Sequence, residues 1–257
     1  YDPKAADFRL AKRMKPVPHM ILIMAALGIM LFFAAYYRPE LWVDKQIFHM
    51  LACVLILPGL AIVVFSDALN RIIPDQIVVH LIILSVFAFL SDYLEGSLWF
   101  SAESPWYYPI LNRVVGALIG SGLLLLIGFI ASRITGEEAL GMGDVKLLFA
   151  VGLYSGGLGL VYIIFISFIL GGIVAIPLLI RKRMRIAAEE KAIRESDNPA
   201  KARKMLLVKK KEMHFADDPD YLAFGPFIAF GMALFMLFEP FFHNLYVERI
   251  ASVLGLA

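Results

Sequence analysis

Long apolar segments, separated by short polar breaks, run along most of the chain. A membrane-crossing helix needs about 20 mainly apolar residues, and most of the apolar runs approach that length. They predict seven transmembrane helices, near residues 19–37, 47–66, 76–90, 112–132, 140–154, 158–180 and 221–242. The fifth helix is short for a full crossing, and irregular backbone at membrane depth is tolerated where it lines a wet cavity.

The composition also indicates a membrane protein. Of the 257 residues, 60% are apolar, whereas soluble domains carry roughly 45–50%. Too little polar sequence remains to cover a water-soluble fold, so we predict an all-α, polytopic membrane protein in contact with the lipid bilayer. The single cysteine, Cys53, excludes a disulfide framework and a cysteine-rich zinc site. We expect no metal, no cofactor and no nucleic-acid ligand.

Lys and Arg residues are unevenly distributed between the predicted loops. Because cytoplasmic loops carry an excess of these residues, the five in segment 1–18 place the N-terminus in the cytoplasm. Seven crossings from there also place 67–75, 133–146 and 181–220 on the cytoplasmic side, and these four segments hold 20 of the 24 basic residues. The distribution therefore predicts an N-terminus inside and a C-terminus outside.

This topology divides the chain into a tail (1–18), six transmembrane helices (19–180), a charged cytoplasmic loop (181–220), and a last helix with an outside tail (221–257). The loop is rich in Ala, Glu, Lys and Arg, which favour helix, with a break at Asn198-Pro199. It is either a solvated helical hairpin or a contact surface for anionic headgroups or a partner protein. No cleavable signal peptide is expected, and the first residue, Tyr, leaves open whether sequence precedes it.

Two aspartates lie at the predicted cytoplasmic ends of their helices, Asp67 after the second helix and Asp144 at the fifth. An ionisable side chain at membrane depth is costly and indicates function. Two close carboxylates share a proton near neutral pH, so the ionised one can activate water while the other donates to a carbonyl. That pairing is suited to peptide hydrolysis. The alternatives are that Asp144 caps its helix and that Asp67 is an interfacial residue in a turn.

Glycines precede Asp144, at Gly141 and Gly143. Glycine lacks Cβ, so its backbone is flexible and lets another segment approach closely. We expect this stretch to present the Asp144 carboxylate to water.

Three motifs resemble those of the bacterial type IV prepilin peptidases, a family of membrane aspartic proteases of the G-x-G-D type. They are Asp67 to Pro74, Glu138 through Gly141-Met-Gly143-Asp144-Val-Lys146 to Leu148, and Phe224-Gly225-Pro226-Phe227. Their order and spacing agree with the family over roughly residues 45–240. The resemblance implies that Asp67 and Asp144 are the catalytic pair. It also implies cleavage of short basic leader peptides from prepilin or pseudopilin precursors, at the cytoplasmic face of the inner membrane.

The sequence departs from the family in two places. Asp75 stands where the family has Asn after Ile-Pro, and we expect it to cap the third helix. Many bacterial members also carry a cytoplasmic domain with two Cys-x-x-Cys pairs, linked to N-methylation of the product. With only Cys53, four thiolate ligands are impossible in this sequence. Methyltransferase activity and S-adenosylmethionine are therefore not expected, unless that region lies outside this sequence.

The remaining motif residues have two interpretations each. Lys146 either tunes the aspartates or binds an acidic group of the substrate, or it snorkels to the interface. Glu138 either decorates a helix end or binds leader cations. Gly225-Pro226 is expected to kink the last helix near its start, and a role in a substrate groove is the alternative. His80 is expected to be a hydrogen-bonded packing residue.

Two other functions remain open from the sequence. A transporter or channel could use the two carboxylates as a proton or cation site, although no inverted repeat is evident. A pilus-assembly component would bind pilins without cutting them. The sequence does not decide the substrate within the pilin-like class or the oligomeric state.

Overall fold

The computed structural model describes residues 47–94, 99–100, 104–135, 141–196, 198–212 and 222–246, with isolated residues 29, 36 and 96. Its helices are α1 (Ile47–Asn70), α2 (Asp75–Leu94), α3 (Tyr108–Thr135), α4 (Met142–Arg194), α5 (Pro199–Glu212), α6 (Gly225–Leu237) and α7 (Glu239–Leu245). These described ranges contain no strand. The predicted first helix and the N-terminal tail lie outside them.

Four of the helices, α1 to α4, are long and apolar enough to cross a membrane. The pair α6 and α7, bent by 81° at a short break, counts as a fifth span if it is taken together. Many large apolar side chains on these helices are exposed, as lipid-facing residues are. The all-α, polytopic class is therefore confirmed, while the number of seven crossings stays a prediction.

Helix α4 contains one residue with non-helical backbone, Gly156 (φ 71°, ψ 176°). A Cβ on Gly116 of α3 would meet both Gly152 and Gly157, and one on Gly120 would meet both Leu148 and Leu160. One turn further along α3, from Gly116 to Gly120, the contact before Gly156 shifts from Gly152 back to Leu148. The contact after Gly156 shifts from Gly157 forward to Leu160. The parts 142–155 and 157–194 are thus antiparallel arms of a hairpin, and the sequence boundary near 155–157 is confirmed.

The second arm of α4 continues beyond the predicted span end at residue 180, as far as Arg194. Within the described part of the charged segment, residues 181–194 and 199–212 are helical, as predicted, and α5 begins at Pro199. Proline is accepted at a first helical position because no intrahelical bond is needed from its nitrogen. The expected break at Asn198-Pro199 is therefore confirmed.

Arg113 of α3, one of the four basic residues that the predicted topology leaves on the outside, is buried beside the Gly156 turn. Its guanidinium donates to the carbonyls of Leu153 and Tyr154 in α4, to the carbonyl of Ala88 in α2, and to the Asp92 carboxylate. A guanidinium can satisfy several acceptors at once. It therefore joins the ends of three helices at the side of the molecule opposite the aspartates.

The last predicted helix is interrupted. Gly225-Pro226 was expected to kink a longer helix, and this expectation is wrong. The pair instead begins α6, with Pro226 in the first turn. The bend lies instead at Phe238, two residues before Pro240. Proline has no N–H and its ring clashes with the preceding turn, so the helix cannot continue straight through it.

The core lies where α1, α2, both arms of α4, and α6 meet. Its fully buried side chains are apolar and include Leu57, Leu60, Leu81, Leu147, Ile163, Ile228 and Met232. Burial at this level in a tightly packed interior fixes the relative positions of the helix ends. Those ends carry the residues of the candidate site.

Candidate active site

Asp67 lies in the last turn of α1 and is 5% exposed. The helix ends because Arg71 adopts a left-handed conformation (φ 59°), a common way to terminate a helix, and its N–H donates to the Asp67 carbonyl at 2.9 Å. Ser66 Oγ donates to the Ile72 carbonyl at 2.7 Å and holds the chain as it turns toward α2. Asp67 is thus part of a helix, and the interpretation as a turn residue is wrong.

Asp144 lies in the first turn of α4 and is 8% exposed. The N-cap of α4 is Gly141, in extended conformation and without a side-chain cap. The Asp144 N–H donates to the Gly141 carbonyl at 3.2 Å. Asp144 therefore does not cap its helix, and its carboxyl group is not used to satisfy the helix end.

The two aspartates are brought together through Ile73 and two glycines. A Cβ on Gly143 would lie 3.3 Å from Ile73 Cβ, and one on Gly225 would lie 3.0 Å from Ile73 Cδ1 and 2.7 Å from Asp67 Oδ2. Any side chain at these positions would push the elements apart. The Ile73 side chain therefore contacts the start of α4, which carries Asp144, and the start of α6, which contacts Asp67. The common membrane depth of the two aspartates stays a prediction.

The Gly225 N–H donates a hydrogen bond of 3.0 Å to Asp67 Oδ2 in a buried position. The amides of a first helical turn have no intrahelical acceptor, and the positive end of the helix dipole lies there. The Asp67 carboxylate, which belongs to α1, therefore accepts a hydrogen bond from an N–H of the first turn of α6 that has no acceptor within its own helix. Sequence reasoning included Gly225 but missed this bond; an unused N–H at a Gly-Pro helix start is the signal that could have indicated it.

The site lies at the ends of several helices. Asp67 is near the end of α1, while α2, α4 and α6 all begin close to it. Gly120 of α3 faces Leu148 of α4. Because the first α4 arm runs antiparallel to α3, Asp144, one turn before Leu148, lies near the level of Leu124, one turn after Gly120. Helix α3 continues eleven residues beyond Leu124 to Thr135, about 16 Å at 1.5 Å per residue. The carboxyl groups are therefore recessed below the end of α3.

Lys146 pairs with Asp75, its Nζ lying 2.9 Å from Asp75 Oδ1. The side chains are 48% and 70% exposed respectively, so the pair lies at the surface of the site. Asp75 is the first residue of α2, and the Pro74 carbonyl accepts the first helical bonds, from the Ile77 and Val78 amides. The expectation that Asp75 caps this helix is therefore wrong.

The other predicted residues are placed as follows. Pro226 lies in the first turn of α6, and Glu138 is outside the described part of the chain. His80 Nε2 is hydrogen-bonded to the Leu55 carbonyl at 3.1 Å, which confirms its packing role. Among the described residues, no group of three or more His, Cys, Asp or Glu side chains could hold a metal ion.

Comparison with known proteins gives one family. Residues 52–176 match the type IV leader peptidase family. This range contains Asp67, Asp144 and the Lys146–Asp75 pair, whereas Gly225 lies beyond it. No solved structure gave a significant match.

Several relatives carry the name prepilin leader peptidase/N-methyltransferase. The one from Aeromonas salmonicida strain A449 is 30% identical over 130 residues, which cover 51% of this chain and 40% of the relative. The one from Neisseria gonorrhoeae is 30% identical over 123 residues, 48% of this chain and 38% of the relative. The chain thus matches well under half the length of these relatives. Residues 52–176, just under half of this chain, are thus similar to the type IV leader peptidase family.

Proposed function

We propose that this protein is a membrane aspartic endopeptidase that removes short basic leader peptides from type IV prepilin or pseudopilin precursors. The observation that carries the proposal is the buried contact between helix ends, which holds Asp67 against the α6 amide and, through Ile73, beside the start of the helix that carries Asp144. The match of residues 52–176 to the type IV leader peptidase family supports the same activity. The names of the relatives support the substrate class.

The proposed chemistry needs only the two carboxyl groups and water. One member of the pair carries a proton and the other is ionised. The ionised carboxylate takes a proton from the attacking water while the neutral carboxyl donates to the scissile carbonyl oxygen. Among the described residues, the Asp144 carboxyl accepts no hydrogen bond, whereas Asp67 is oriented by Gly225. Gly225 thus holds one member of the pair in place while the other stays free for water or substrate.

The proposed location is the inner membrane, with the N-terminus and the recessed site facing the cytoplasm. The basic residues of α5 and of the second α4 arm beyond residue 180 support this orientation, because cytoplasmic segments are enriched in Lys and Arg. The second α4 arm runs toward the end of the molecule that holds the aspartates, so its charged part and α5 lie beyond that end. We assign leader cleavage to the residues of this sequence and no methyl-transfer site to them, since Cys53 alone cannot supply four thiolate ligands.

The test is cleavage of a purified precursor with a short basic leader, followed by mass analysis of the products. Asp67→Asn and Asp144→Asn should each reduce cleavage at least about 1,000-fold, because neither half of the acid–base pair works alone. Glu190→Gln, the same acid-to-amide change at an exposed position of α4, should cleave normally.

Near-normal cleavage by either aspartate variant would contradict the proposed pair. An intact precursor after incubation with the unaltered protein would contradict the peptidase assignment itself. The product mass also shows which bond is cut and whether a methyl group is added.

A further inference from the structure

A groove separates α2 from α3 on the outer side of the first α4 arm. Helices α2 and α3 make few contacts with each other, whereas each packs closely on α4. The space between them, here called the α2–α3 groove, has a volume of about 490 Å³. Its walls include Val78, Val79 and Ile82 of α2 and Ser121 of α3, and its floor includes Val145 and Phe149 of α4.

The floor of the α2–α3 groove is the helical turn that directly follows Asp144. Val145 and Lys146 are the next two residues, and Phe149 lies one turn further along the arm. A chain lying on this floor therefore has one end at the aspartates and its other end at membrane depth. This direction fits a peptide whose cut bond is followed by a segment that stays in the membrane.

The lining is apolar except at one end. Ser121 Oγ donates to the Ala117 carbonyl of its own helix at 2.8 Å, so this hydroxyl is already satisfied. The charged lining residues are Asp75 and Lys146, which form the exposed ion pair beside the site. Exposed pairs of this kind contribute little net energy and can exchange partners at low cost. The groove thus combines an apolar length with a charged mouth.

Resting on the proposed peptidase function, we infer that the α2–α3 groove binds the apolar helical segment that follows the scissile bond of a membrane-inserted precursor. The apolar side chains of that segment lie against Val79 and Phe149. Charged groups flanking it exchange with the Lys146–Asp75 pair at the mouth. An acyl chain fits the same lining, but the floor of the groove continues through Val145 directly to Asp144. This continuity favours a peptide, because a substrate chain must reach the aspartates.

A photoreactive amino acid placed at single positions tests the occupant directly. It replaces Val79, which is 54% exposed in the groove wall, or Val161, which is 63% exposed on the second α4 arm and does not line the groove. Both are made in full-length protein carrying Asp144→Asn, reconstituted with precursor in lipid vesicles. Irradiation should capture the precursor at Val79 and not at Val161.

Equal capture at both positions would overturn the inference. Capture at Val79 of lipid alone, or of residues 1–46 of the same chain, would also overturn it. Cleavage of the same precursor by unaltered protein is measured in parallel. If the precursor is cut but Val79 captures none of it, the groove assignment fails and the proposed function stands. If the precursor is not cut at all, the proposed function fails.

A kinetic experiment uses the same two positions. Val79→Trp fills part of the groove, so KM for the precursor should rise about tenfold with little change in kcat, as expected when uniform binding is removed. Val161→Trp adds the same bulk to a lipid-facing site and should leave both constants unchanged. An unchanged KM in Val79→Trp, in protein that is folded and active, would contradict the inference.

Discussion

At the residue scale, the geometry of the site depends on the absence of a Cβ atom at Gly225. Its N–H reaches Asp67 Oδ2 at 3.0 Å only because no Cβ occupies the space beside the carboxylate. The same glycine lets the Ile73 side chain lie between α6 and the start of α4. The backbone N–H of Gly225 thus orients the Asp67 carboxyl group. The lack of a side chain at Gly225 allows α1, α4 and α6 to lie close together around the two aspartates.

Gly225→Ala tests this arrangement. The added Cβ would lie 2.7 Å from Asp67 Oδ2 and 3.0 Å from Ile73 Cδ1, so Asp67 must move. A displacement of about 1 Å in a catalytic group costs on the order of 100-fold in rate, and we expect a loss of kcat near that size. Gly172→Ala is the matched control, because a Cβ there meets nothing within 4 Å. Equal rates in the two variants would show that Gly225 does not position Asp67.

At the element scale, the hairpin of α4 places Asp144. The first arm runs from the site to Gly156 and packs on α3 through direct backbone contact, with the Cβ position of Gly152 only 2.5 Å from the Gly116 carbonyl oxygen. Small residues allow such close approach between membrane helices. The position of the arm along α3 fixes the depth of the carboxyl group.

Gly116→Ala should destabilise the protein by about 1–3 kcal/mol, because overpacking forces the backbone apart. The new Cβ would lie 2.6 Å from the Gly152 carbonyl oxygen and 2.7 Å from the Gly156 carbonyl carbon. Gly122→Ala on the same helix meets open space and should be neutral, or stabilising by up to about 1 kcal/mol through helix propensity. Unfolding in detergent, followed by circular dichroism, distinguishes them. A Gly116 variant as stable as the Gly122 variant would contradict close contact at the hairpin.

At the scale of the whole molecule, the two halves of α4 decide the topology. A 53-residue helix taken as one crossing would leave its charged end on the side opposite to its start. The contacts with α3 require instead that the chain turns at Gly156 and returns. The basic residues beyond 180 then lie at the same end of the molecule as the aspartates.

Thiol labelling with a membrane-impermeant reagent tests the crossing number in a Cys53→Ala background. Trp106→Cys precedes α3 at a 68% exposed position, and Glu190→Cys lies near the end of the second α4 arm, in its charged part, at an exposed position. Three crossings separate them if α4 is a hairpin, so they should be labelled from opposite sides. Labelling from the same side would indicate a single crossing and would contradict the hairpin.

Local sequence patterns were sufficient for much of this protein. Apolar runs predict the described helices within a few residues at most ends, because crossing the bilayer requires a fixed length of apolar side chains. The breaks at Gly156 and Pro199 also follow from local chemistry. Asp67 and Asp144 were evident because carboxyl groups are costly in apolar segments.

Other features were not accessible from the sequence. The cap expected at Asp75 and the kink expected at Gly225-Pro226 were wrong, and the Arg113 cluster was missed. Each depends on which distant segment faces the residue: Lys146 lies 71 positions from Asp75, and Gly225 lies 158 positions from Asp67. The composition determined that the chain is a bundle of membrane helices, with the carboxyl groups of Asp67 and Asp144 in energetically unfavourable apolar surroundings. Only the tertiary structure decided how those acids are held, because packing between helices remote in sequence chooses the partner of each polar group.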